Sequence, residues 1–270
     1  MSLLEIIILS IIQGITEFLP VSSTGHIIFF SDLFDIDTTN IYFDITVHLG
    51  SLLSIICYFR KNIFEFFKFN NKFYVQNLVY EISYKKLCTI IILSTLPIII
   101  CVLFFDLEFF QKFRSSAWVG IFMIFTSFIL FISEFLSSKN KHLGEISRKD
   151  SIIIGILQCI SIFPGVSRSG ITIFSGLLVG MDRQSAVVYS FILSIPTILG
   201  AVCLMLINNI NDLNFENIFI KFIIPTFLSF IFSYIAIAFI IRYLKNGTFK
   251  PFVIYCFFSG IFLLTTNLLR

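Results

Sequence analysis

The chain has 270 residues, 57% of them hydrophobic and 17% aromatic, with only 13% charged. A soluble domain carries about 25% charged residues, so this chain lacks the polar surface a soluble fold of its size needs. The formal net charge of +3 is too small for a nucleic-acid binder, and no nucleic-acid partner is expected.

In chain order, the first apolar region is Leu3–Phe34. It begins without the basic residues or small-residue cleavage site of a secretory signal, and is expected to remain in the protein. It is interrupted by Pro20-Val21-Ser22-Ser23-Thr24-Gly25. Three apolar runs follow, at Ile41–Phe59, Leu87–Phe105 and Ala117–Leu136. A second interrupted region, Ser151–Gly180, is broken by Pro164-Gly165-Val166-Ser167-Arg168-Ser169-Gly170. Three more runs close the chain, at Ala186–Ile207, Ile218–Ile241 and Pro251–Leu269. Each of the six runs is long enough to cross about 30 Å of hydrocarbon. The pieces after the two breaks, His26–Phe34 and Ile171–Gly180, reach only about 14–15 Å as helices. Each interrupted region therefore reads as a re-entrant helical hairpin. The expected fold is all-α and polytopic: six transmembrane helices plus two re-entrant hairpins in one integral membrane domain, residues 1–270.

Lys and Arg concentrate on one side of this layout. Arg60, Lys61, Lys68, Lys72, Lys85, Lys86, Lys139, Lys141, Arg148, Lys149, Arg183, Arg242, Lys245 and Lys250 fall in the loops expected inside; Lys112, Arg114 and Arg270 fall outside. By the positive-inside rule the N-terminus and the mouth of the first hairpin face outward. The six cysteines lie in or beside apolar runs without a C-x-x-C pair, and read as small buried residues.

The two breaks are related. Residues 13–25 align without gaps on residues 158–170, with six of thirteen positions identical. Each half, approximately 1–136 and 151–270, is a hairpin followed by three crossings. Three is odd, so the halves are expected to form an inverted-topology repeat whose broken helices meet near the midplane.

Chemistry gathers at those breaks. Gln13 and Glu17 share a helix face, and a carboxylate at that depth costs several kcal/mol unless paired. Glu17 reads as a general base or, with Gln13, as a ligand of a hard cation such as Mg²⁺. A buried carboxylate also predicts that Glu17→Gln leaves the protein, without metal, as thermostable as before, or more so. Ser22, Ser23, Thr24 and His26 crowd the first break, where hydroxyls and a helix N-terminus suit an anion. His26 suits acid/base or nucleophilic work in phosphoryl transfer. The second break offers Arg168 between Ser167 and Ser169, with Thr172 one turn on. Arg168 needs an anionic partner: phosphate oxygens, which match its fork, or Glu17. Asp44 and His48 share a face and are further candidates to line the site. Gly176-x-x-x-Gly180 reads as a helix-packing face, and Asp182-Arg183 as a loop charge pair.

Gln13 to His26, with Glu17 and the run Pro20-Val-Ser-Ser-Thr-Gly-His26, resembles the N-terminal motif of the bacterial undecaprenyl-diphosphate phosphatase family of the bacitracin-resistance type. Pro164-Gly-Val-Ser-Arg168-Ser-Gly-Ile-Thr172 resembles that family's second motif, and Phe43-Asp-Ile-Thr-Val-His-Leu-Gly50 a third region. The resemblance spans nearly the whole chain. It implies removal of one phosphate from undecaprenyl diphosphate in the bacterial inner membrane, regenerating the carrier lipid for cell-wall synthesis and giving resistance to bacitracin. It implies Glu17, Ser23, His26 and Arg168 as the catalytic group. Gln13, Ser22, Thr24, Ser167, Ser169 and Thr172 are implied around the substrate, and a divalent cation, Mg²⁺ or Ca²⁺, on Gln13 and Glu17. Many members carry Glu where Gln13 stands, so two carboxylates on the cation are not implied. The expected partners are the polyprenyl diphosphate, membrane lipids and, as an open alternative, a second copy in a homodimer. Ser23-Thr-Gly-His26 superficially resembles the membrane acid-phosphatase signature, but no His follows Arg168 as that signature requires. A lipid-phosphate transporter or flippase is the alternative of a different class, since broken-helix repeats also serve transport.

Overall fold

The computed structural model describes residues 1–36, 41–67, 72–75, 78–105, 107–136, 140–208 and 219–268. The expected inside charges Lys68 and Lys139, the C-terminal Arg270, and the outer limits Ile218 and Leu269 of two expected runs lie outside those residues. The chain is an all-α polytopic membrane protein. Its first interrupted region forms α1 (Leu3–Phe18) and α2 (Ser23–Phe34). Next come α3 (Ile41–Tyr58), α4 (Arg60–Phe67), α5 (Tyr84–Phe104), α6 (Leu107–Gln111) and α7 (Ser116–Leu136). The second interrupted region forms α8 (Arg148–Gln158) and α9 (Arg168–Leu178). The chain ends with α10 (Arg183–Asn208), α11 (Ile224–Tyr243) and α12 (Lys250–Leu268). A π-helical turn, Phe219–Ile223, leads into α11.

Among the described residues, five helices are long and apolar enough to cross a membrane: α5, α7, α10, α11 with its π turn, and α12. The sixth expected crossing is α3. It has 18 residues, about 27 Å at 1.5 Å per residue. α2 and α9 have 12 and 11 residues, or about 18 and 16 Å. They are slightly longer than the sequence suggested because Ser23 and Arg168 already belong to the helices.

The stretch expected to be a loop between α3 and α5 holds more structure. β1 (Lys72–Val75) and β2 (Leu78–Glu81) pair antiparallel, with Phe73 opposite Tyr80. Both rings are buried, and Phe73 lies 5.7 Å from the Phe59 ring. Each strand is only four residues long, too short for its alternation to stand out in an aromatic-rich chain. Asp182 and Arg183 also differ from the expected loop pair. Asp182 caps α10 by accepting from the Ser185 N–H at 2.9 Å. Arg183 reaches Glu134 on α7 at 3.2 Å and donates to the Gly247 carbonyl.

Helix packing relates the two halves. α1 and α3 pack on α11, while α8 and α10 pack on α5; α3 packs on α10, and α7 on α12. Exchanging the halves maps this set of pairs onto itself. With lipid outside, helices associate through close backbone approach and interhelical hydrogen bonds. At the α3–α11 contact, a Cβ on Gly50 would stand 2.3 Å from the Thr226 carbonyl oxygen. Beside it, the Ser51 hydroxyl lies 3.0 Å from both Ser229 Oγ and Ser233 Oγ, and Ser229 and Ser233 donate to the carbonyls of Val47 and Gly14. Gly120 on α7 and Gly260 on α12 also approach closely: a Cβ on either would stand 2.6–2.8 Å from the other's carbonyl oxygen. Gly176 packs on Ala186 of α10, whereas Gly180, at φ +100°, forms the turn after α9.

Gly50→Leu forces a side chain into the Thr226 carbonyl. Overpacking of this kind costs about 1–3 kcal/mol. The expected outcome is a lower melting temperature in detergent than for the natural chain; an unchanged melt would show that α3 and α11 can part freely.

Candidate active site

Both breaks form for the same local reasons. The residue before a proline is pushed out of the helical region, and Leu19 before Pro20 and Phe163 before Pro164 are both extended. A serine then caps the next helix: Ser22 Oγ accepts from Gly25 N–H at 3.2 Å, and Ser167 Oγ from Gly170 N–H at 3.1 Å. These four residues occupy equivalent positions in the two repeats. Ser22 takes φ +70°, a conformation that costs a non-glycine residue on the order of 1–3 kcal/mol and tends to occur at functional sites. At the second break the left-handed residue is Gly165, at φ +100° and tight against the Val119 carbonyl.

The breaks meet at Glu17, which is 7% exposed. One carboxylate oxygen, Oε1, accepts from Arg168 Nη2 at 2.6 Å. The other, Oε2, accepts from Ser23 Oγ at 2.7 Å and from Gln13 Nε2 at 2.8 Å. Ser23 and Arg168 are the first residues of α2 and α9, 145 positions apart in sequence, and they grip the two oxygens of one carboxylate. The second break is pinned to the first by Ser169, which donates to the Leu19 carbonyl at 2.9 Å. Of the two partners foreseen for Arg168, Glu17 holds it here. Among the described residues, no other guanidinium N–H of Arg168 has a hydrogen bond, and its side chain keeps 15% of its exposure. Donors therefore remain for an anion.

His26 is 4% exposed and has partners of its own. Nδ1 lies 2.6 Å from the Ser22 carbonyl oxygen and Nε2 lies 2.5 Å from the Tyr255 hydroxyl. His26 thus shares the α2 face with Ser23, one turn on, without a hydrogen bond to Glu17 or Arg168. Tyr255 was not legible from sequence, since one tyrosine among nine in an apolar helix carries no signal. His48 Nδ1 donates to the Asp44 carbonyl, 2.7 Å away. Ser167 caps α9 and touches Ser169 at 3.2 Å. Thr172 bonds the Arg168 carbonyl at 2.8 Å and Ser190 Oγ at 2.6 Å. These two hydroxyls brace the frame that carries Arg168, and Thr24 is half-buried beside Ser23.

A resident metal cage is not what these side chains fit. Among the described residues, no three His, Cys, Asp or Glu side chains cluster to hold an ion. The donors at hand are the Glu17 carboxylate, the Gln13 amide oxygen and the Ser23 hydroxyl. They fit a cation that arrives on phosphate oxygens, since Mg²⁺ commonly takes only one or two protein carboxylates beside its substrate.

The family profile described as bacitracin resistance protein BacA matches residues 6–262. The chain is 35% identical over 266 residues to undecaprenyl-diphosphatase 4 of Bacillus thuringiensis subsp. konkukian (strain 97-27), covering 98% of this chain and 97% of that protein. It is 34% identical over 265 residues to the undecaprenyl-diphosphatase of Halothermothrix orenii, covering 98% of each. A protein of the same name from Methanobrevibacter smithii is 34% identical over 273 residues, covering 97% of this chain and 96% of that protein.

The ion pair reverses the stability expectation for Glu17→Gln. Removing one partner of a buried pair leaves the other charge uncompensated, at a cost of about 3–5 kcal/mol. Glu17→Gln is expected to melt below the natural chain in phosphate-free detergent, with inorganic phosphate recovering part of the loss by pairing Arg168. A melting temperature equal to the natural chain's would mean that the pair contributes nothing.

Proposed function

Because the chain belongs to the bacitracin resistance protein BacA family, we propose that it hydrolyses undecaprenyl diphosphate to undecaprenyl phosphate and inorganic phosphate. The observation that carries the site assignment is the Ser23–Glu17–Arg168 constellation. A hydroxyl donates to a carboxylate, and the carboxylate is oriented by a third group, the arrangement expected of an activated nucleophile. The relatives bear phosphatase names, and the transporter alternative is set aside.

In the proposed reaction Arg168 releases part of its grip on Glu17 and offers its remaining N–H groups to the terminal phosphate. The first N–H groups of α2 and α9 add to the binding of negative charge. Ser23 Oγ attacks the terminal phosphorus as Glu17 takes its proton. The new Ser23 O–P bond forms while the bond from phosphorus to the bridging oxygen breaks, and the lipid monophosphate leaves with that electron pair. Glu17 passes that proton to the departing lipid phosphate, then takes one from the water that attacks the phosphoserine. The Ser23 O–P bond breaks as inorganic phosphate leaves, and Glu17 returns the proton to Ser23 Oγ, which restores the resting pair. Gln13 and Glu17 would hold a divalent cation brought by the substrate, and its chemistry is to neutralise the phosphate oxygens. His26, one turn from Ser23, serves proton transfer on the same helix face.

The wider layout belongs to this proposal. The chain is one integral domain of two inverted repeats, residues 1–136 and 151–270, in the inner membrane, with the N-terminus and site opening outward and lipid as its partner. The interchangeable packing of the halves supports the repeat, and the Lys/Arg bias supports the orientation. Whether two copies pair is a matter for mass measurement in detergent.

Purified protein is expected to release inorganic phosphate from undecaprenyl diphosphate in detergent, where a transporter would release none. Arg168→Lys is expected to lose about 10²-fold in kcat/KM while still folding, because an ammonium cannot copy the guanidinium fork and one preorganised donor is worth roughly that much. Near-natural turnover in Arg168→Lys would mean that a bare positive charge suffices.

A further inference from the structure

Tyr255 lies on α12 and is 46% exposed. Its ring lines an apolar pocket of 510 Å³ with Phe29, Ile254, Phe258, Ser259 and Phe262, all on α2 or α12. A tyrosine at a lipid-facing surface needs a partner for its hydroxyl, because hydrocarbon offers none. Here that partner is Nε2 of His26 at 2.5 Å. The two rings are nearly parallel, 6° apart in plane with centroids at 5.4 Å. The next residue, Cys256, points its thiol at the Pro20 carbonyl, 3.7 Å away. α12 therefore braces the first break at two consecutive positions.

The hydrogen bonds set the state of the imidazole. The Ser22 carbonyl can only accept, so Nδ1 of His26 carries the proton directed at it. In the neutral ring Nε2 is then the basic nitrogen, and the Tyr255 hydroxyl donates to it. The ring is held from both sides: by the carbonyl of the residue in the left-handed conformation, and by a hydroxyl from the far end of the chain. Rotation of His26 would break both bonds inside a membrane.

We propose that Tyr255 is a positioning residue, fixing the orientation of His26 one helical turn from Ser23. This rests on the phosphatase reading of the site. Tyr255 does not touch the reacting phosphate; it acts through His26. The ring forms the pocket wall, while the hydroxyl does the positioning, so the two roles can be separated by removing one atom.

The test is a cycle of Tyr255→Phe, His26→Gln and the double variant, assayed for phosphate release from undecaprenyl diphosphate on monodisperse protein in detergent. Tyr255→Phe keeps the pocket wall and loses the hydroxyl. Its kcat is expected to fall about tenfold, the scale of one hydrogen bond, with KM within about twofold of the natural value. In the His26→Gln background the same change is expected to have no further effect, because groups that act as a unit are not additive. An unchanged kcat in Tyr255→Phe, or an equal loss in both backgrounds, would overturn the inference. A loss seen mainly in KM would also overturn it, by assigning Tyr255 to the pocket alone. Full activity of His26→Gln would remove His26 from the reaction and the inference with it. Absence of phosphate release from the natural chain would instead overturn the phosphatase reading itself.

Discussion

Glu17 carries a charge where a charge is costly, and its two oxygens are each claimed by a different break in the membrane fold. An unpaired carboxylate at this depth costs several kcal/mol. The helix dipoles nearby contribute about 0.3–1 kcal/mol apiece, too little to offset that alone. Arg168 supplies the larger share, since removing one member of a buried pair costs about 3–5 kcal/mol. The pair therefore does more than decorate a site. It ties α1 to α9, Ser23 adds α2, and Ser169 on the Leu19 carbonyl locks the same junction from the backbone side.

The repeat explains how two distant positions arrive there together. In the alignment of residues 13–25 with 158–170, Ser23 falls on Arg168 and Glu17 on Ile162. The capping residues have been kept in both halves, Ser22 with Gly25 and Ser167 with Gly170, so each half still starts a short helix at the junction. The residues that differ are those that touch: a hydroxyl and a guanidinium at equivalent helix starts, facing one carboxylate present in only one half. One repeated frame thus gives an asymmetric junction, with a hydroxyl on one side and a guanidinium on the other.

Much of this was legible in the residues, for physical reasons that can be named. Prolines followed by serines and glycines break an apolar run visibly, and charges inside hydrocarbon stand out because they are expensive. That made Glu17, Ser23 and Arg168 readable, and the internal alignment brought the breaks together. Tyr255 was hidden because tyrosine is ordinary in an apolar helix, and its partner lies 229 positions away. The strands Lys72–Val75 and Leu78–Glu81 were hidden by their length. The pairing of Arg168 with Glu17, rather than only with a ligand, could be named as an alternative but not chosen, because the choice depends on distance.

The most direct measurement is a structure of the protein with a non-hydrolysable methylene diphosphonate lipid. The expected result has the terminal phosphonate between Arg168 and Ser23, with the Arg168–Glu17 distance lengthened from 2.6 Å and Glu17 still on the Ser23 hydroxyl. A diphosphonate bound elsewhere, with the Glu17–Arg168 pair intact and Ser23 untouched, would make the junction a structural clamp and place the chemistry at another site.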